Sequence, residues 1–239
     1  MLLIGSIATG EITTSTAEDC LYLNVYTPSG RASARLLDGP PRSGRAGLTR
    51  DRCPGTIQYN LWRMSKNTPW IFVDCEARGT SPVHGVLAEF GAVHYDTRET
   101  FHGRLFDATP DPDNPAIPIV GERLASDTEV AERFAAWLKD HLGNKRPVFV
   151  SDNPAYDWQW IAGMFDRAGI DNPFGHSGRR ISDFWAGLNR NWSDTQGWKR
   201  FRRTAHDHNP VHDAMGNVEA FDEIMRMVNN NTIAAEAAE

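Results

Sequence analysis

Five residues in this chain are of the types, and at the spacings, that could do chemistry together: Asp74, Glu76, Asp157, His208 and Asp213. Asp74-Cys75-Glu76 ends an apolar run, Asn153-Pro154-Ala155-Tyr156-Asp157 opens an aromatic-rich stretch, and His208-Asn209-Pro210-Val211-His212-Asp213 opens another helical stretch. Side chains two apart on a strand project from the same face, so Asp74 and Glu76 point together. Paired carboxylates repel unless a cation lies between them. Four carboxylates can hold two divalent cations, and a histidine beside them can take a proton from water. That combination suits hydrolysis of a phosphodiester bond. Each motif has a plainer reading, as strand-end charges, a helix-start carboxylate or a surface histidine, and only the set stands above it.

These groups must be positioned by regular elements. Trp70–Val73 reads as a central buried strand, Gly85–Tyr95 and Glu99–Phe106 as two more in an antiparallel meander, and Asp107–Pro118 as a Pro/Asp-rich loop. Ser126 starts an amphipathic helix running to about Leu142. Val148–Val150 is another buried strand, and Ala155–Ala168 a helix whose Trp158 and Trp160 pack in the core. Ile181–Leu188 fits strand or helix, and Asn209–Val228 is a final helix. The pattern predicts an α/β domain: a mixed sheet flanked by helices.

The bulk numbers bound the rest. The chain has 239 residues, 40% hydrophobic, with eight Trp and a net charge of −6. No apolar run is long enough to span a bilayer, so no membrane association is expected. The start, Met1-Leu2-Leu3-Ile4-Gly5, lacks a basic region and predicts no signal peptide. Three cysteines (Cys20, Cys53, Cys75) without ligand spacing fit a reducing, cytoplasmic setting. Residues 29–66 carry seven Arg and one Lys against Asp38 and Asp51, amid Gly, Pro and Ser. We expect residues 1–66 to be a poorly structured extension or a fusion remnant, 67–230 the working domain, and 231–239 a frayed tail. The acidic balance of the remainder suits cation binding and leaves nucleic-acid contact to a local patch.

The three motifs in this order resemble the DEDDh family of 3′–5′ exonucleases, ribonuclease T-like members of the ribonuclease H-like superfamily. That family shows Asp-x-Glu, Asn-x-x-x-Asp and His-x-x-x-x-Asp, and the resemblance covers roughly Pro69–Val228. It implies a ribonuclease H-like mixed sheet, with Asp74, Glu76, Asp157 and Asp213 holding two Mg²⁺ or Mn²⁺ ions. It implies His208 as general base, and release of 5′-mononucleotides from a 3′ end. Arg78, Gly79 and Asn153 lie beside the motifs and are expected to touch substrate. Ala77 stands where relatives often have Thr, and Asp152 where they often have His. The variant with a catalytic tyrosine would need Tyr at position 209, where Asn209 stands.

Arg179, Arg180, Arg190, Lys199, Arg200, Arg202 and Arg203 interleave with Trp185, Trp192 and Trp198. Such a stretch can hold single-stranded RNA or DNA by phosphate contact and stacking, with Arg200, Arg202 and Arg203 the residues to test; a solvated, Trp-anchored loop is the equal alternative. RNA is placed slightly ahead of DNA. The rival readings are a DNA 3′-end trimming or proofreading activity and a non-catalytic nucleic-acid-binding relative. Some relatives of this type pair as homodimers, and that state stays open here. Glu18 to Pro28 resembles a signature of type-B carboxylesterases, but no Gly-x-Ser-x-Gly nucleophile elbow exists in the chain. Esterase activity is therefore excluded.

Overall fold

A computed structural model describes residues 68–230. The expectations for residues 1–66 and 231–239, the esterase-like segment included, lie outside the described residues.

The central strand is β1, Trp70–Arg78. Its odd-numbered side chains Ile71, Val73, Cys75 and Ala77 enter one buried cluster, and Phe72 enters the other. Both faces are therefore covered, as an unbroken apolar run at the start of β1 requires. The meander forms as expected: β2 (Val86–His94) pairs antiparallel with β1, and β3 (Thr100–Arg104) with β2.

Asp107–Pro118 departs from the expected loop. Phe106–Pro110 (β4) and Pro118–Arg123 (β5) pair as a two-stranded hairpin of their own. Short strands ending in proline carry little periodic signal, because proline cannot donate to a ladder.

The helix α1 (Asp127–Leu142) begins at a full capping box: Ser126 accepts from the Glu129 amide, and Glu129 reaches back to the Ser126 amide. Next, β6 (Val148–Ser151) joins β1 in parallel, and α2 (Pro154–Ala168) follows with Pro at its first turn and Gly169 in the left-handed conformation at its end. A three-residue strand, β7 (Gly178–Arg180), adds in parallel to β6; it was not legible in the sequence. The ambiguous segment is helical, α3 (Ile181–Leu188). After a short 3₁₀ turn at Gly197–Phe201 comes the long α4, Pro210–Asn230.

The sheet order is β3-β2-β1-β6-β7, mixed, with helices on both sides. Phe134, Trp160, Ile161, Met164 and Phe165 from α1 and α2 fill one face; Trp185, Ala214, Val218, Phe221 and Ile224 from α3 and α4 fill the other. Each of the large side chains among them contributes on the order of 1.5–3 kcal/mol. Among the described residues no helix is long and apolar enough to cross a membrane.

Candidate active site

The site forms where β1 outruns its neighbour. The pairing of β1 with β6 ends at Phe72 opposite Val150, so from Val73 onward β1 has no strand on that side. Asp157, in the first turn of α2, fills the place a strand would occupy: its Oδ1 accepts the Cys75 backbone amide at 3.1 Å. The Cys75 thiol donates to the Asp157 carbonyl at 3.6 Å. A buried amide demands a partner, and here a motif carboxylate supplies it.

Asp74 and Glu76 project to the α4 side. There the third motif arrives through a close approach that the sequence pattern did not reveal. Gly91 is the register partner of Asp74 on β2, and a Cβ at Gly91 would lie 2.2 Å from the Pro210 carbonyl oxygen and 2.4 Å from the Val211 nitrogen. Only glycine lets the start of α4 rest on the sheet at this point. Asn209 caps that helix, its Oδ1 accepting the Val211 amide at 3.0 Å. Asp213, one turn in, is 1% exposed and shares a cluster with Asp74 and Glu76 in which carboxylate oxygens lie within 4.8 Å of one another. His208 sits just before α4 with φ of +60°, and its Nδ1 is 3.6 Å from Glu76 Oε1.

All five expected residues therefore converge. Their electrostatics are those of a site short of positive charge. Burial first, then the charges of Asp157, Asp213 and Asp152, raises the Asp74 pKa well above the usual carboxylate range. Burial, Asp74 and Asp213 push Glu76 up to about 9. Asp157 is raised too, by burial and by Asp152, against the opposing pull of its hydrogen bonds. The second oxygen of Asp157 and both oxygens of Asp213 are buried without a hydrogen-bond partner. Buried carboxylate oxygens left unpaired are costly, and hard divalent cations favour such donors. The donor set thus fits Mg²⁺ or Mn²⁺.

The flanking residues divide. Arg78 is exposed at the end of β1, Gly79 adopts φ of +105°, and Asn153 is exposed with no side-chain capping bond. The basic-aromatic stretch is corrected by the structure: Trp185 and Trp198 are core residues, and only Trp192, 80% exposed, stands in solvent. Arg202 turns inward, its guanidinium meeting Asn217 Oδ1 and Asp152 with its side chain 8% exposed. Arg202 is a structural counter-charge to the site, whereas Arg200 and Arg203 lie at the surface. Tryptophans between arginines read alike in a sequence whether they face inward or out.

Two further neighbours, Glu89 and Asp152, were not read from the sequence as part of the site. Glu89 lies directly across from Glu76 on β2, and His102 binds it at 2.6 Å. Asp152 is held by Lys199 at 2.9 Å. A narrow cleft beside Glu76, Glu89 and His208 is walled by Ala108, Thr109, Pro110, Pro115 and Pro118 of the unforeseen hairpin. A larger cleft of about 430 Å³, lined by Phe201, Arg203, Glu219, Asp222, Glu223 and Arg226, includes none of the motif residues.

No family model matches the chain, and no curated protein does. Among solved structures it is similar to the nuclease domain of 3'hExo, a DEDDh family member bound to rAMP, at 15% identity over 69% of this chain and 93% of that one, with a TM-score of 0.47. It is also similar to the zinc-bound form of an E. coli ExoI–ssDNA complex, at 18% identity, with a TM-score of 0.45. That match covers 69% of this chain and 41% of the ExoI chain. A further ExoI structure, in complex with a dA16 oligonucleotide, aligns at 14% identity over 69% of this chain and 41% of that one, with a TM-score of 0.41.

Proposed function

We propose that residues 67–230 form a DEDDh-type, metal-dependent 3′–5′ exonuclease acting on single-stranded or short nucleic acid, RNA ahead of DNA, and releasing 5′-mononucleotides. The observation that carries this reading is the convergence of Asp74, Glu76, Asp157 and Asp213 beside His208, with Asp157 Oδ2 and Asp213 Oδ1 buried and without a hydrogen-bond partner.

Asp74, Glu76, Asp157 and Asp213 would hold the ions. When bound, a pair of divalent cations supplies charge stabilisation at both the attacking and the leaving oxygen. The chain's own residues do the rest. His208, its Nδ1 3.6 Å from Glu76 Oε1, would accept a proton from the attacking water. Gly91 and the Asn209 cap fix the start of α4, so Asp213 is rigid relative to β1. The hairpin β4–β5 limits the width of the cleft beside Glu76 and His208, which favours a strand end over a duplex. Exposed Arg78, Asn153 and Arg200 would contact the substrate.

The test is digestion of a 5′-labelled single-stranded RNA and a matched DNA with Mg²⁺ or Mn²⁺, beside Asp74→Ala and EDTA controls. A ladder shortening from the 3′ end, lost in both controls, is expected, and the RNA/DNA rate ratio sets the substrate class. Absence of cleavage by folded, metal-loaded protein would refute the reading in favour of a binding role.

A further inference from the structure

The third motif contains more nitrogen than a DEDDh site uses. His206 and His208 flank Asp207, and the left-handed backbone at His208 brings the two rings to 4.6 Å between centroids. His206 Nδ1 approaches Asp213 Oδ2 to 2.6 Å, yet neither Asp213 oxygen gains a hydrogen-bond partner. The pair lies at ion-pair distance. His206, His208 and Asp213 each present a ligand atom within 4.8 Å of the other two. That is within reach of the roughly 3.4 Å edge of a tetrahedron with bonds about 2.1 Å long. The third histidine of the segment is occupied elsewhere, because His212 Nδ1 binds Asp207 at 2.9 Å.

We propose that His206, His208 and Asp213 form a zinc site, distinct in ligand chemistry from the all-oxygen cluster of Asp74, Glu76 and Asp213. Two imidazole nitrogens, one carboxylate and a water suit a borderline, tetrahedral ion, whereas Mg²⁺ takes oxygen ligands in an octahedron. The two clusters share Asp213. The site also uses His208, so occupation by zinc ties up the imidazole assigned as the base, along with the Asp213 carboxylate. Zinc then acts as an inhibitor built into the motif, a consequence that rests on the exonuclease reading; the binding itself does not.

His206 is half-exposed and its replacement leaves the core untouched. The full chain and His206→Ala are titrated with Zn²⁺ alone by calorimetry, and with Co²⁺ followed by its visible absorption. The expected result is a zinc affinity weakened at least about tenfold in the variant, since loss of even an outer-shell partner typically has that effect. The intense band of tetrahedral Co²⁺ should appear with the full chain and vanish with the variant. Equal zinc affinity in the two proteins, with no tetrahedral Co²⁺ spectrum, overturns the proposal. In parallel, adding Zn²⁺ to Mg²⁺-supported RNA digestion should slow the full chain and leave the His206→Ala rate within about twofold of its zinc-free value, the affinity loss protecting it. Differing zinc affinities with no digestion by either protein would uphold the site while refuting the exonuclease reading.

Discussion

At the scale of single residues, the site's character is its shortage of positive charge. Asp74, Glu76 and Asp157 all have pKa values raised by burial and by one another. A carboxylate whose folded pKa is raised keeps its proton longer in the native state than in the unfolded one. Stability then falls as pH climbs from the ordinary carboxylate range toward about 9, the value for Glu76. In EDTA the melting temperature should drop between pH 5 and 8, and Glu76→Gln should flatten that slope. Mg²⁺ should stabilise more at pH 8 than at pH 6, since binding requires the ionised carboxylates; a stabilisation independent of pH would mean the cluster is not the ligand set. His208→Ala should lower the turnover rate about 10²–10⁴-fold with little change in melting temperature. A rate near that of the unaltered chain would place the base elsewhere. The five motif residues were legible because their spacing along the chain matches the strand and helix starts that carry them. Glu89, Asp152 and the inward turn of Arg202 were not, because each is placed by a partner distant in sequence: Glu76 across β2, Lys199 beyond α3, Asn217 on α4.

At the scale of elements, the site is a matter of which strand ends first and which helix comes closest. The sheet and its helices followed from apolar runs and caps, Ser126 and Pro154 being the clearest signals. The hairpin β4–β5 did not, since its strands are short and each carries a terminal proline. Gly91 was equally silent, for a glycine inside a strand does not say what will rest on it. A methyl there must displace Pro210 or the strand, because the obstructing atoms are backbone. Gly91→Ala should destabilise by about 1–3 kcal/mol, the usual range for overpacking. Its loss of the proposed nuclease rate should exceed what its destabilisation alone explains, judged against a change far from α4 such as Ser126→Ala, which should cost about 1 kcal/mol through its cap. Chemical denaturation and rate measurements on both variants separate the two effects; equal losses of rate would show that the seat of α4 does not govern the site.

At the scale of the whole molecule, a protein beginning at Asn67 and ending at Asn230 should fold and retain divalent-cation binding, and loss of either would show that the flanking segments belong to the working unit. Charge reversal at Arg200 and Arg203 should weaken single-strand binding and flatten its salt dependence, as loss of phosphate contacts does. Arg202→Ala should instead lower stability, by about 1–3 kcal/mol, because it leaves the buried Asn217 oxygen without its donor while Lys199 still holds Asp152. The Cys75 thiol, 5% exposed, lies in the cluster between the sheet and α2 and carries a pKa raised by that burial. No alkylating reagent reaches it while α2 stays seated on β1, and a thiol so protonated reacts slowly even when touched. Its modification is therefore a clock for breathing: the labelling rate of the peptide containing Cys75 reads how often α2 lifts from the strand that carries Asp74 and Glu76. Asp157 moves with that helix, so divalent cations should slow the clock, turning a silent cysteine into a measure of how tightly the ions hold the two halves of the site together.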